Sequence, residues 1–563
     1  MPDLGLPISF QKAVLDSLSY PKNNTYKTLD TYPKSLARAG SRLCEKASDL
    51  FEDIETICEV SIRDLNTAYG KDVDKYNVHS HRKLLEWLGI EVQVASHCSP
   101  IVVGTKRDPK CRFIAIFGRN SRSKLKLTRA MLVDILTFHQ VMPAFLEFIY
   151  LFGQKDEITD LNYNCFREQV VLANPPDGLI IPGLGRSGKH YQMCFNLKGV
   201  ALTNEIKDDF TQNIWTIRQC AFHHQFDISN GNTLWIVVKG NEEIQQRFKS
   251  LTGADARAQD KAFGTVEESF RSSLSAHLMY CHWAMEDWRW HIQWLEMAVD
   301  KKHIMALLGP SGDGHAHKTY TPGDIQDLQI WEEKARQVAM ALEGNTDVTL
   351  ALVAFYRRLT LDKDFQLRET CSLDISTFGS QVENITTDFR MQTKRAEFLV
   401  RTISDRRQLV VQHLQSQSAS RAERLSRSME QEQIFMLMIT IVTLIFLPGT
   451  FVSTFFSTDI IKYQGSASPG GTFSANAMRR WLEVTIPLTV VTCGVAWLGR
   501  RWALTKRRSH EVDLEDRSAS WPQKSPLCSS NTLLPFHTAK TRASRFRNIT
   551  KGRSSNIELG EVA

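Results

Sequence analysis

Hydrophobic positions along the 563-residue chain change their period twice, and each change marks a different kind of structure. Leu43, Ala47, Leu50, Ile54 and Ile57 recur at helical spacing, so residues 1–110 read as a mostly helical N-terminal region. From 111 to 260 the pattern is mixed. Arg112–Phe117 (RFIAIF) and Tyr191–Leu197 are short runs of strand length. Ala221–Lys239 (AFHHQFDISNGNTLWIVVK) sets two such runs around Asn230-Gly231, a pair favoured in tight hairpin turns. Leu127–Phe152 is apolar and helical, with an interruption at Pro143 and a stop at Gly153. A sheet with helices beside it, an α/β domain, is the expected result.

Beyond about residue 260 the period is helical throughout. Thr265 and Glu268 have the spacing of a capping box, in which a hydroxyl and a carboxylate close a helix N-terminus. No breaker follows until Gly309-Pro310, which predicts one helix of about 43 residues, about 65 Å long. Thr321-Pro322 opens a second, carrying Ile330, Trp331, Ala335, Val338 and Leu342 and expected to falter at Gly344-Asn345. Together these predict long antiparallel helices over 261–372, with Trp283, Trp288, Trp290 and Trp294 packing a helix interface. A stalk helix is expected over 373–433. Neither proline nor glycine occurs between Gln381 and Leu447, so the stalk runs straight into the segment beyond it.

That segment is uncharged on every face. Ile434–Phe456 (IFMLMITIVTLIFLPGTFVSTFF) holds 23 residues without a charge. A bilayer core needs about 20 in a helix. Val484–Gly499 adds 16 uncharged residues and reaches spanning length with Trp481, Leu482 and Glu483. Trp481, Trp497 and Trp502 lie where interfacial aromatics are expected. Transmembrane helices are therefore expected at 434–456 and 481–499, joined by a short non-cytosolic loop at 457–480. The lipid bilayer is the implied partner. Residues 500–563, rich in serine and basic residues, read as a disordered cytosolic tail.

Charge orients the pair. Arg421, Arg424 and Arg427 precede the first run, and Arg500, Arg501, Lys506, Arg507 and Arg508 follow the second. The loop between carries only Lys462, Arg479 and Arg480, so the positive-inside rule puts both termini in the cytosol. The first residues, MPDLGLPISFQKAV, lack the basic-then-apolar pattern of a signal peptide. Eleven cysteines with no C-x-x-C pair read as reduced, packed thiols.

Within the first run, Thr440, Thr443, Leu447, Thr450, Thr454 and Ser457 alternate by three and four and so share one helical face. A polar stripe at membrane depth needs another helix or water to face. Periodicity alone allows either a helix-packing seam or the lining of a pore made by several copies. The long helix leading in favours a bundle, because a stalk of that length needs partners for its apolar face.

The order of these parts, with the phrase TLIFLPGTFVSTFF in the first span, resembles the CorA-type divalent cation transporters, most closely a divergent fungal branch. Phe446–Phe451 (FLPGTF) is the sharpest local match, supported by His139–Phe148 (HQVMPAFLEF) and Trp215–Asp227 (WTIRQCAFHHQFD). The resemblance covers about residues 80–510. It implies a homopentamer whose first span lines the pore and whose soluble domain senses the transported metal, commonly Mg²⁺.

The departure is at the pore mouth. The family's Gly-Met-Asn signature should follow the first span, where this chain reads Phe456-Ser457-Thr458-Asp459. The loop sets one acid, Asp459, against three bases, a formal charge of +2 that repels divalent cations. Magnesium selectivity does not carry over. Ser457, Thr458 and Asp459 still offer oxygen ligands suited to a hydrated divalent ion, and a ring of Asp459 carboxylates would attract one, Asp459 being the candidate metal ligand. Alternatively, Asp459 ends the helix in water.

Other motifs carry less. Gly183–Lys189 (GLGRSGK) has phosphate-loop spacing, but His190 and the strand-like YQMCFNL follow where Ser or Thr and a helix are required. Gly309–His315 (GPSGDGH) lacks the lysine, and the pairs His79/His81, His223/His224 and His315/His317 lack further ligands at metal spacing. No nucleophile–base–acid set or cofactor motif stands out, so neither an enzyme, a bound cofactor nor a nucleic-acid partner is expected. Two functions remain: a passive oligomeric transporter of divalent cations, or a transport-dead relative serving as membrane sensor or scaffold.

The charge distribution sets one outcome. An impermeant thiol reagent applied to intact cells should modify cysteines introduced between Lys462 and Ala477 and none introduced in the tail. Tail labelling from outside would reverse the topology.

Overall fold

The strands around residues 111–117 and 233–239 are buried at every position, the pattern of strands covered on both faces. The computed structural model sets them side by side in the middle of a sheet. Residues 5–25, 31–65, 73–93, 100–120, 122–155, 161–202, 215–239, 243–308, 320–457 and 475–519 are described. They divide into two compact units, Met1–Arg421 and Ala422–Ala563.

The first unit contains β1 (Val60–Leu65), β2 (Val73–Val78), β3 (Ile90–Gln93), β4 (Ile101–Gly104), β5 (Cys111–Phe117), β6 (Phe166–Val171), β7 (His190–Leu202), β8 (Trp215–Asp227) and β9 (Thr233–Lys239). Seven form one sheet in the order β2-β1-β5-β9-β8-β7-β6, while β3 and β4 pair separately. All neighbours in the large sheet are antiparallel except β5 and β9, which run parallel with Cys111 opposite Thr233.

Period-two alternation then sorts the side chains into two layers. Phe113, Phe195, Phe222, Trp235 and Val237 enter one. Ile114, Ile116, Ala221, Ile236 and Val238 enter the other. The second layer is closed by α1 (Ile8–Leu15), α2 (Pro33–Glu45), α3 (Ala47–Leu50), α4 (His81–Leu88), α5 (Arg129–Phe138) and α6 (Phe145–Ile149). The first is closed by α7 (Glu243–Thr252), α8 (Val266–Met285), α9 (Trp288–Leu308), α10 (Pro322–Leu361) and the early turns of α11 (Ser372–Ser457). An α/β domain followed by long helices is thus the observed fold. Trp235 and Trp288 are fully buried in the first layer, where truncation of a tryptophan to alanine costs about 3–5 kcal/mol.

Several elements depart from the periodicity. Residues before 110 supply more than helix, since β1 and β2 belong to the main sheet and β3 and β4 form the small one. Ile54 and Ile57 lie in an extended stretch and a short 3-10 turn, because Leu50 and Phe51 already fill the core there. The single helix expected from Thr265 is two. Its capping box forms, but the chain breaks at Glu286-Asp287, where Asp287 takes φ 65°. In one continuous helix Trp283 and Trp288 would point about 140° apart. The break lets both enter the core and leaves Trp290 exposed, so only three of the four tryptophans pack inside.

Conversely, α10 does not falter at Gly344-Asn345. A Cβ at 344 would collide with Asn164, so glycine permits the close approach. The buried Asn345 amide donates to Lys198 O at 2.6 Å and accepts from Lys198 N at 2.9 Å, tying the helix to β7. Helix α5 ends at Phe138, before Pro143, and Gln140 adopts φ 51°. The β8–β9 connection is longer than a two-residue turn. Gly231 takes φ 71°, and the Asp227 carboxylate accepts from Ser229 N and Asn230 N at 3.0 and 2.9 Å.

Among the described residues, three histidines are completely buried, all at this sheet: His223, His224 and His277. His224 Nδ1 and His277 Nε2 are 3.0 Å apart, and the His224 ring stacks on Trp235 at 4.0 Å. Burial pushes His223 and His277 down to about 3 and His224 well below its ordinary value. Their folded values lie below the unfolded one, so the contribution is complete above about pH 6.5 and is lost as pH falls toward 3. Melting followed by circular dichroism should show stability falling on acidification by roughly 1 kcal/mol per pH unit for each histidine. His223→Phe should flatten that dependence, since neither ring nitrogen of His223 has a partner.

Candidate functional site

Among the described residues, three helices are long and apolar enough to cross a membrane by length and composition: α10, α11 and the Met478–Trp502 stretch of α12 (Ala475–Ala519). In α10 most of the apolar stretch is buried, against the sheet and its neighbouring helices, whereas only 6% is buried in each of the other two. Ile434, Phe435, Met436, Ile441, Ile445, Phe446 and Phe451 lie exposed around the first of these. A surface apolar on all sides is stable in lipid and untenable in water.

Within the second unit, α12 covers one face of the apolar part of α11. Pro448 and Val452 are buried, and Leu444 and Phe456 are partly covered, a row with the i, i+4 spacing of one face. Thr485 is buried opposite them. A Cβ built on Gly449 would lie 3.8 Å from the Trp481 ring and 3.9 Å from the Thr485 methyl, ordinary packing distances. Trp481 Nε1 donates to Ser453 Oγ at 3.0 Å. Pro448 lacks an N–H and so frees the Leu444 carbonyl, yet the helix continues through it.

The hydroxyl stripe lies on a different face. At 100° per residue, its middle is about 130° from the middle of the row Leu444–Pro448–Val452. Thr440, Thr443, Leu447, Thr450, Thr454 and Ser457 are all exposed. The threonine hydroxyls donate back into their own helix: Thr440 to Met436 O at 2.7 Å, Thr443 to Ile439 O at 3.0 Å, and Thr454 to Thr450 O at 2.7 Å. Thr450 does the same to Leu447 O at 3.0 Å. With the proton spent on the backbone, each oxygen presents lone pairs outward as an acceptor. A groove of about 490 Å³ is lined by Leu447, Thr450 and Thr454 of the stripe, by Pro448 and Phe451, and by the α12 residues Leu488 and Thr492. The predicted mouth residues Thr458 and Asp459 lie outside the described residues.

The other motifs resolve plainly. The glycine-rich Gly183–Lys189 segment is a loop leading into strand β7, with Gly185 and Gly188 at φ 80°. His79 contacts Cys58 O at 2.8 Å, and His81 pairs with Asp134, which raises its pKa. His315 and His317 lie outside the described residues. Among the described residues no group of three or more His, Cys, Asp or Glu side chains is placed to hold a metal ion. The sequence reading passed over Thr485, Thr489 and Thr492, whose helical spacing in the second apolar run was a usable signal. Thr489 and Thr492 donate to Thr485 O and Thr489 O at 2.7 and 2.9 Å.

Residues 12–307 match the family model of CorA-like transporters. The chain belongs to that family. No curated protein matches it. Among solved structures it is similar to the CorA magnesium transporter of Methanocaldococcus jannaschii, at 11% identity and a TM-score of 0.32, covering 78% of this chain and 97% of that one. It is also similar to the full-length CmaX protein, at 10% identity and a TM-score of 0.28, covering 80% and 99%. The CorA-like match takes in the α/β domain with α8 and α9 and ends before the apolar helices.

The packing face of α11 is open to a direct check. Gly449→Cys combined with Thr485→Cys should form an intrachain disulfide under mild oxidation, identified by mass spectrometry of the digested protein. Thr443→Cys with Thr485→Cys should form none within the chain.

Proposed function

We propose that this CorA-like protein is a passive, homo-oligomeric channel for divalent cations, with the hydroxyl stripe of α11 lining the path. The observation that supports this reading is the stripe's position: exposed, and off the face of α11 that α12 covers. Copies of α11 around an axis would bring the stripes together. Acceptor oxygens then face the hydrogens of a hydrated cation, which keeps its water shell and needs few direct ligands. The path residues are Thr440, Thr443, Leu447, Thr450, Thr454 and Ser457, with Thr458 and Asp459 at the mouth. Five copies and cytosolic termini follow the CorA resemblance and the charge distribution. The soluble α/β domain would stand on the cytosolic side.

Asp459 is the group that offsets the positive loop. Several carboxylates near one axis produce a strong local field in a site partly shielded from water. Without an asparagine ring to read the hydration shell, divalent ions should be poorly discriminated. The same missing signature and the loop's charge of +2 favour a second reading, a membrane sensor or scaffold without transport.

Flux of several divalent ions into proteoliposomes separates the two. The parent protein should admit them with little preference, and Asp459→Asn should reduce flux about tenfold or more without altering assembly by native mass spectrometry. Thr454→Val should impair passage deeper in the path. A parent protein that passes no divalent ion would establish the sensor reading.

A further inference from the structure

At one end of the sheet in the α/β domain lies a small polar cavity of about 50 Å³. The first residues of β5, β7 and β9, the last of β8, and the loops around Asp108, His139 and Arg186 surround it. Its walls hold a network of charges. Arg112 is bound in bidentate fashion by Asp64, Nε to Oδ1 at 2.9 Å and Nη2 to Oδ2 at 2.8 Å. Arg186 Nε meets Asp108 Oδ2 at 2.5 Å, and its Nη1 donates to Phe138 O at 2.6 Å.

The glycine-rich segment set aside as a phosphate loop is what delivers Arg186. Ile181 and Arg186 exchange backbone hydrogen bonds at 3.1 and 3.0 Å, and left-handed Gly185 follows the short turn between them. Phe138 stacks beneath the guanidinium at 4.7 Å. Across the cavity, His139 precedes Gln140, whose φ of 51° is fixed by bonds from Thr25 and Gln192. A strained non-glycine backbone held on both sides is characteristic of functional sites.

Some polar atoms here are spent and some are not, and the difference selects a ligand. Asp227 accepts from Ser187 N, Ser187 Oγ, Ser229 N and Asn230 N at 2.7–3.0 Å. His190 uses one ring nitrogen on Gly188 O and the other on Gln192. Four buried atoms lack a hydrogen-bond partner: Arg112 Nη1, Arg186 Nη2, His139 Nε2 and Gln225 Oε1. Arg112 Nη1 is also 3.8 Å from Asp108 Oδ1, an ion pair without a hydrogen bond. Both arginines depress the His139 pKa after burial does, which places the three groups near one another. A buried polar atom left unmet carries its full desolvation penalty.

We propose that this cavity binds a phosphate group carrying an ionisable hydroxyl, either inorganic phosphate or the terminal phosphoryl of a small monoester. The guanidinium nitrogens and the His139 ring are donors for phosphate oxygens, and Gln225 Oε1 is an acceptor for the P–OH proton. A cation is disfavoured, because the free groups are chiefly donors and every carboxylate is engaged. Asp64, Asp108 and Asp227 outnumber Arg112 and Arg186 by one, which favours a protonated, singly charged phosphate over a dianion. The space holds about four water-sized groups, the size of one tetrahedral oxyanion. Sulfate matches phosphate in shape but brings no proton, so Gln225 would face a bare oxygen.

The test is equilibrium binding of radiolabelled inorganic phosphate to the full-length protein in detergent, with sulfate, chloride and glycerol phosphate as competitors. One saturable site per chain is expected, with sulfate competing about a hundredfold more weakly. Gln225→Met should weaken phosphate about tenfold and narrow its margin over sulfate. Arg186→Lys, which keeps the charge beside Asp108 but removes Nη2, should also lose affinity. Melting in chloride buffer identifies the variants that remain folded. Competition by glycerol phosphate assigns the site to monoesters, and its absence to free phosphate; both outcomes sustain the proposal. No saturable binding, equal displacement by sulfate, or undiminished binding in either folded variant would overturn it and leave the cavity to water.

Discussion

The backbone of β5 and β9 lies between two apolar layers, and its N–H and C=O groups can be satisfied only by neighbouring strands. That constraint fixes the rest of the α/β domain. The two strands run parallel although more than a hundred residues separate them, so the intervening chain must leave the sheet and return. It does so through the helices of one face to β6 at the sheet edge, from which β7 and β8 step inward to β9. Helices on both faces are a requirement of this arrangement, because either face left bare would expose a continuous apolar surface. The polar cavity sits where the parallel pair begins, at the end of the sheet where side chains rather than strands must complete the hydrogen bonding.

How much of this was legible depended on whether the controlling interaction was local. The capping box of α8, strands β5 and β7, and the β8–β9 hairpin all follow from neighbouring residues, and all are present. The break at Asp287 was hidden, since Glu286-Asp287 contains neither proline nor glycine and the chain parts there to bury Trp283 and Trp288 together. The reverse error at Gly344-Asn345 has the same origin. A glycine that reads as a helix breaker is there because Asn164 packs against the helix, and the asparagine beside it serves β7. Strand β2 is largely polar and exposed, an edge strand with little periodic signal, and β1 is buried at every position, which removes its alternation.

The candidate path was legible in a different sense. Helical spacing put the threonines of the first apolar run on one face without any structure, but only the position of α12 says which face remains open. Of the three phrases that carry the resemblance, His139–Phe148 and Trp215–Asp227 lie inside the CorA-like match and FLPGTF lies beyond it. The polar cavity could not be found from sequence at all. Arg112, His139, Arg186 and Gln225 are scattered over more than a hundred residues, and what distinguishes them is a hydrogen bond not made.

Helix α11 also sets a schedule. Its early turns supply Ile375, Phe378, Val382, Phe389, Ile403 and Val410 to the core of the α/β domain, and its uncharged run begins at Ile434. At about 5–20 residues per second of synthesis, the last core residue precedes the first membrane-compatible one by only a few seconds. The α/β domain cannot finish folding long before an apolar segment leaves the ribosome. The apolar run of α11 therefore emerges soon after the last residues that complete the core of the α/β domain. One uninterrupted helix turns two assembly problems into consecutive steps of a single one.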